Sequence, residues 1–121
     1  MTPDDNALIT LKKGSKLIKY SRKGKPKIRE FRLSSDETVL VWYSHSKEKC
    51  LRLSAVSKII PGQRTAVFRR FLRPEKDYLS FSLIYKNGQR SLDLVKDKFF
   101  MPVLTDVRCF IFIYALYDDL S

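Results

Sequence analysis

The sequence predicts a mainly β domain, built as a barrel or sandwich of seven antiparallel strands, with a short helix at the amino end. Segments rich in β-branched and aromatic residues recur at roughly even spacing, and turn-forming residues separate them. The chain has 121 residues, of which 44% are hydrophobic. It is therefore long enough for one domain around one core, which we take to span residues 1–121.

The first segment favours a short helix that ends before Gly14. Asp4 or Asp5 can cap its amino end, and Lys12 and Lys13 complement the helix dipole at the other end. After Gly14 the hydrophobic period changes to two, which is typical of a strand.

Seven segments are predicted to be strands. They are Lys16–Arg22, Lys27–Leu33, Thr38–Tyr43, one strand within Cys50–Ile60, Ala66–Phe71, Tyr78–Tyr85 and Ser91–Val95. The first two form a hairpin around Gly24, and Asn87-Gly88 is a strong hairpin signal between the last two.

The segment after residue 98 fits two structures. Thr105 or Asp106 can cap a helix from about Val107 to Leu120, and we favour this helix. The run Cys109–Tyr114 also has the composition of a strand, and its periodicity does not separate the two.

Positive charge is concentrated near the amino end of the chain. Ten of the twenty-four basic residues lie between Lys12 and Arg32, and Glu30 is the only acid there. The net charge of +11 indicates an anionic partner, which can be nucleic acid, an acidic protein surface or an anionic membrane. The chain has no signal-peptide pattern and no apolar run long enough to span a bilayer, so we expect it to be cytoplasmic and peripheral at membranes.

The alternation of side chains along a strand predicts which of these cations lie on the same face. Lys27, Arg29, Phe31 and Leu33 would lie on one face of a strand. If Phe31 and Leu33 enter the core, Lys27 and Arg29 continue the same row to the open end of the barrel, and Lys19 does so in the preceding strand. The loop above them adds further cations, namely Arg22, Lys23 and Lys25. Arginine forks and mobile lysines suit phosphate. From charge alone, a solvated basic hairpin remains the alternative.

These residues carry a family resemblance. Lys19, followed after seven residues by Lys27-x-Arg29, resembles the phosphoinositide signature of pleckstrin-homology (PH) domains. The segments LKKGSKLIKYSRKGKPKIREFRLSSDETVLVWYS, LRLSAVSKIIPGQRTAVFRR and RPEKDYLSFSLIYKNGQRSLDLV resemble the N-terminal PH module of large plant proteins. Those proteins also carry regulator-of-chromosome-condensation repeats and a FYVE zinc finger. The similarity covers about residues 8–98.

The resemblance implies a PH-like, partly open barrel of seven antiparallel strands in two near-orthogonal sheets, with a helix closing one end. It also implies that Lys19, Lys27 and Arg29 contact the inositol phosphates, helped by the loop cations. The chain departs from the family after Asp97. The family's closing helix carries a tryptophan, whereas the only tryptophan here is Trp42, so residues 99–121 form an atypical tail.

A second basic cluster lies between the fourth and the sixth predicted strands. It comprises Arg64, Arg69, Arg70 and Arg73. A solvated loop is the default interpretation of such a cluster, and a lipid-facing flank beside the main site is the alternative.

The sequence lacks the combinations of residues that a catalytic site requires. His45 is the only histidine and is expected on the surface, so a metal site or a histidine-based triad lacks its residues. Asp93 and Asp97 suggest solubility at a strand edge, and Cys50 and Cys109 are expected to be small buried hydrophobes. We therefore expect no enzyme activity, no cofactor and no metal.

Three functions follow, in order of preference. The first is a phosphoinositide-binding module that targets anionic membranes. The second is a protein-interaction scaffold on a PH fold, for which the apolar tail would supply a surface. Non-specific nucleic-acid binding ranks last, because the aromatic residues fall at core-like positions rather than on an exposed stacking platform. We expect a monomer.

Overall fold

The computed structural model describes residue 9 and residues 11–96, which form one antiparallel sheet of seven strands. The strands are β1 (Ser15–Tyr20), β2 (Lys27–Leu33), β3 (Val39–Ser44), β4 (Lys47–Arg52), β5 (Val56–Pro61), β6 (Ser80–Tyr85) and β7 (Arg90–Lys96). Their order in the sheet is β4-β3-β2-β1-β7-β6-β5. The sheet curls into a half-barrel, and β4 and β5 form its two edges.

The predicted fold class, a mainly β, PH-like, partly open seven-stranded barrel, is confirmed. The β1–β7 pair joins the two expected sheets into one, with Leu17 opposite Lys96 and Tyr20 opposite Asp93. The predicted closing helix, Val107–Leu120, lies outside the described residues. The helices in the described part of the chain are all too short to span a bilayer.

The amino-terminal helix is present where the sequence predicts it. Residue 9 and residues 11–13 are helical, and Leu11 is buried in the core. Lys12 Nζ forms a salt bridge of 2.7 Å with Glu37 Oε2, which holds the helix against the β2–β3 turn. Gly14 then turns the chain into β1 with a φ of +114°, a conformation that favours glycine.

The prediction of a single strand within Cys50–Ile60 is wrong. That region contains the end of β4 and most of β5, and a 3-10 turn at Leu53–Ala55 separates them. β4 begins at Lys47, before the predicted strand, because the turn from β3 needs only two residues. His45 and Ser46 both adopt left-handed backbone conformations, with φ of 54° and 62°, and such pairs make the tightest hairpins.

The predicted strand Ala66–Phe71 is also wrong, because Ala66–Arg69 forms a short helix. Thr65 caps it, and its Oγ1 accepts a hydrogen bond from the Phe68 N–H at 3.3 Å. Phe68 is fully buried, and its ring packs 4.7 Å from the ring of Tyr20, centroid to centroid. The cap and this buried contact outweigh the strand propensity of valine and phenylalanine.

The core confirms the strand parity on which the site prediction depends. Leu17, Phe31 and Leu33 are fully buried on the inner face, and the Phe31 ring packs 5.1 Å from that of Trp42, centroid to centroid. The prediction that Cys50 is buried is wrong. β6 is buried along nearly its whole length, whereas Cys50 is exposed on the edge strand β4.

Candidate anion-binding site at the end of the β1–β2 hairpin

The β1–β2 hairpin brings the predicted cations together. Its register places Lys19 opposite Lys27 and Leu17 opposite Arg29. Lys19 and Arg29 are half-buried, and Lys27 is exposed. The inward-facing side chains of the hairpin therefore change from buried apolar residues to cations towards its turn. Gly24 has a φ of +85°, and a Cβ there would meet no atom within 4 Å. The backbone conformation alone therefore favours glycine in this loop.

One cavity of about 240 Å³ lies at this end of the barrel, and we call it the mouth cavity. Its lining residues are Lys19, Ser21, Lys23, Gly24, Lys25, Lys27, Arg29, Ser44 and His45. It thus includes five of the six cations that the sequence singled out. The sixth, Arg22, does not line this cavity, but it lines an adjoining one together with Lys19 and Lys23 and a further one with Thr65 and Arg90.

Among residues 9 and 11–96, no cation of the mouth cavity forms a salt bridge with a carboxylate. The salt bridge between Lys12 and Glu37 does not involve them. Lys19 Nζ lies 3.5 Å from Ser21 Oγ, and Arg29 Nη1 donates to the Ile28 carbonyl at 3.1 Å. Neither of these partners carries a negative charge, and a bound anion would relieve the repulsion between the cations.

The pKa of Lys19 reflects both its burial and the neighbouring cations. The pKa of its ammonium group is lowered from its ordinary value, mainly because burial disfavours the charged form. The nearby charge of Arg29 lowers this pKa further, Lys49 acts in the same direction, and Asp93 opposes them.

Sequence reasoning missed three residues at this end of the barrel. Ser44 and His45 line the mouth cavity, and Lys49 lines an adjoining cavity of about 530 Å³. Strand parity would have found Lys49, because it lies two residues before the buried Leu51 in β4. It was missed because the predicted fourth strand began too late. His45 is exposed, as expected, yet its place in the β3–β4 turn brings it to the cavity.

The prediction that Asp93 provides solubility at a strand edge is wrong. Asp93 is 1% exposed and lies in β7, which pairs on both sides. Its carboxylate accepts hydrogen bonds from the Thr65, Ser82 and Ser91 hydroxyls, each at 2.6 Å. It therefore fastens the helix cap at Thr65 to the sheet. Asp97 lies outside the described residues, as does Cys109.

The second basic cluster is on the surface, and one member reaches the hairpin loop. Arg64, Arg69, Arg70 and Arg73 are all exposed. Arg70 Nη1 donates to the carbonyl oxygen of Ser21 at 2.8 Å and also to that of Arg22. None of the four lines the mouth cavity. Arg70 thus positions the loop that carries the cations.

The described residues hold no cluster of three histidine, cysteine or carboxylate side chains that could bind a metal ion. What the site offers instead is a concentration of ammonium and guanidinium donors around one small cavity. Such an arrangement binds and orients oxyanions, above all phosphates.

Comparisons with known proteins show the fold alone. No family model matches the chain. It is similar to the structure of Inner Membrane Complex sub-compartment protein 1 from Toxoplasma gondii, with a TM-score of 0.70 and 15% sequence identity over 98% of this chain and 90% of that one. Sub-compartment protein 3 from the same organism matches with a TM-score of 0.64 and 14% identity, over 97% of this chain and 81% of that one.

Proposed function

We propose that this chain is a non-catalytic, PH-type module that binds phosphoinositide headgroups and so associates peripherally with anionic membranes. One observation carries the proposal. Lys19, Lys23, Lys25, Lys27 and Arg29 line a single cavity, and none of them forms a salt bridge with a carboxylate in the described part of the chain. The sequence resemblance to PH modules supports the same class of ligand.

The geometry favours a ligand with several phosphates. The mouth cavity is smaller than the roughly 300–1,000 Å³ of typical small-molecule pockets. It shares five lining residues with the adjoining cavity, namely Lys19, Ser21, Lys23, Ser44 and His45. A phosphorylated ring can therefore extend from one into the other. Arg29 would hold one phosphate through its planar fork, and the lysines would follow the remaining charge.

The charge also suffices for reversible membrane association. Each basic residue near an anionic bilayer contributes on the order of 1 kcal/mol, so several cations at one end of a barrel can hold the domain there. The alternative scaffold function depends on the tail from residue 99, which lies outside the described residues.

Co-sedimentation with vesicles tests the proposal. Arg29→Ala should weaken binding to vesicles of phosphatidylcholine, phosphatidylserine and phosphatidylinositol bisphosphate by about tenfold or more, because it removes charge-assisted hydrogen bonds. Arg32→Ala is the matched control, since it removes the same charge from an exposed position three residues farther along β2, outside the cavity. The control should change binding only about twofold. Equal losses in both variants would show that only net charge matters and would refute a specific site.

A further inference from the structure

The connection between β5 and β6 exposes two apolar side chains among arginines. Phe71 is 39% exposed and Leu72 is 54% exposed. Arg70 precedes them and Arg73 follows, and both are exposed. Other large exposed hydrophobic residues in the described part, such as Tyr43 and Tyr78, occur singly. Phe71 and Leu72 are consecutive, and we call them the apolar pair.

The fold holds the apolar pair in this exposed position from both sides. On the amino side, Phe68 anchors the short helix against Tyr20 and Val95 in a buried cluster. On the carboxyl side, the buried amide of Gln63 binds the backbone of Arg73. The Arg73 N–H donates to Gln63 Oε1 at 2.9 Å, and Gln63 Nε2 donates to the Arg73 carbonyl at 3.0 Å. These contacts on both sides therefore keep Phe71 and Leu72 on the surface.

One side chain connects the apolar pair to the cationic loop. The guanidinium carbon of Arg70 lies 5.3 Å from the centre of the Phe71 ring. The same guanidinium donates to the Ser21 and Arg22 carbonyls, next to residues that line the mouth cavity. The apolar pair is thus continuous with the basic loop of the candidate site.

We propose that Phe71 and Leu72 insert into an anionic bilayer while the mouth cavity holds a lipid headgroup. This inference rests on the proposed function and adds a second contact with the same membrane. A bilayer presents phosphates at its surface and acyl chains just beneath them, which matches arginines on either side of an apolar pair. A protein groove could also bury two apolar side chains, but the surrounding positive charge favours a surface rich in phosphate.

A comparison of vesicles with the soluble headgroup tests this inference. The double variant Phe71→Ser/Leu72→Ser should lower the partition onto the phosphoinositide vesicles by roughly tenfold, because it removes two partly buried apolar groups from the membrane contact. Its affinity for soluble inositol trisphosphate should not change. Tyr78→Ser, at an isolated position that is 69% exposed, is the control and should bind vesicles like the wild type.

Fluorescence quenching provides a second measurement that does not depend on a loss of binding. Leu72→Trp should be quenched by vesicles with brominated acyl chains and should bind them more tightly than the wild type. Tyr78→Trp should show no such quenching, and the buried Trp42 gives the same background in both variants.

The outcomes separate the two proposals. Wild-type vesicle binding by the double variant, or unquenched Leu72→Trp on bound vesicles, overturns membrane insertion and leaves the headgroup site intact. Weaker binding of soluble inositol trisphosphate by the double variant also overturns it, because the defect would then lie in the site. If Arg29→Ala binds both probes like the wild type, the proposed function itself fails.

Discussion

At the scale of single residues, position along a strand decides whether a cation is an ordinary surface charge or part of a site. Arg29 and Arg32 lie three residues apart in β2, yet Arg29 lines the mouth cavity and Arg32 does not. Lys19 is half-buried in β1, two residues beyond the buried Leu17. Burial and the charge of Arg29 lower the pKa of Lys19, so the protonated ammonium group destabilises the folded protein when no anion is bound.

The lowered pKa of Lys19 predicts how stability and binding respond to pH. While Lys19 is protonated, its charge reduces stability, and this loss disappears as the pH rises from its folded-state pKa to its ordinary unfolded-state value. A bound phosphate reverses the balance, because an opposite charge raises the pKa. Binding is therefore coupled to proton uptake and weakens as the pH rises through the lowered pKa of Lys19.

Calorimetric titration with inositol trisphosphate measures this coupling. Above a pH of about 8, where the ligand phosphates are fully ionised, the affinity of the wild type should fall with rising pH. Lys19→Arg keeps its charge at every pH used and should bind with a flatter profile. An equally steep fall in both proteins would mean that Lys19 is not the titrating group.

At the scale of elements, the sequence correctly predicts strands whose inner face is apolar. It does not predict conformation or burial where these depend on contacts with residues that are distant in the sequence. β2 has the predicted bounds, because Phe31 and Leu33 fix its register. The segment 66–71 has strand-forming residues, but its conformation depends on Thr65 and on contacts with other elements. The burial of Asp93 was not predictable for the same reason, since its partners Thr65 and Ser82 are far from it in the sequence.

The hydrogen bonds that Asp93 accepts give a prediction about the stability of the whole domain. Asp93→Ala leaves three hydroxyls without their acceptor and should lower the free energy of unfolding by about 3 kcal/mol, measured by urea denaturation. Asp36→Ala is the control. Asp36 also accepts hydrogen bonds from Ser34 and Thr38, but in an exposed turn, so it should cost much less. Equal losses would contradict the role assigned to Asp93.

At the scale of the whole molecule, the fold turns an excess of charge into an ordered surface. A net charge of +11 is compatible with several anionic partners, and composition alone does not choose among them. The half-barrel gathers five of those charges at one cavity through the β1–β2 hairpin, and the Arg70 side chain joins the β5–β6 connection to the same end. Parity in two strands predicted much of this site. Lys49 was missed because the predicted fourth strand began too late. The place of His45 at the cavity and the contact of Arg70 with the hairpin loop depend on how the chain folds back, and neither was predicted.

The proposed function requires that a phosphorylated headgroup binds in the mouth cavity. The most direct test is to follow backbone amide NMR signals while soluble inositol trisphosphate is added. We predict saturable shifts that are largest at residues 19–29 and 44–45, with little change at exposed basic residues elsewhere, such as Arg52 and Lys58. Shifts that do not saturate, or that are as large at Arg52 and Lys58 as at Lys19 and Arg29, would contradict the claim.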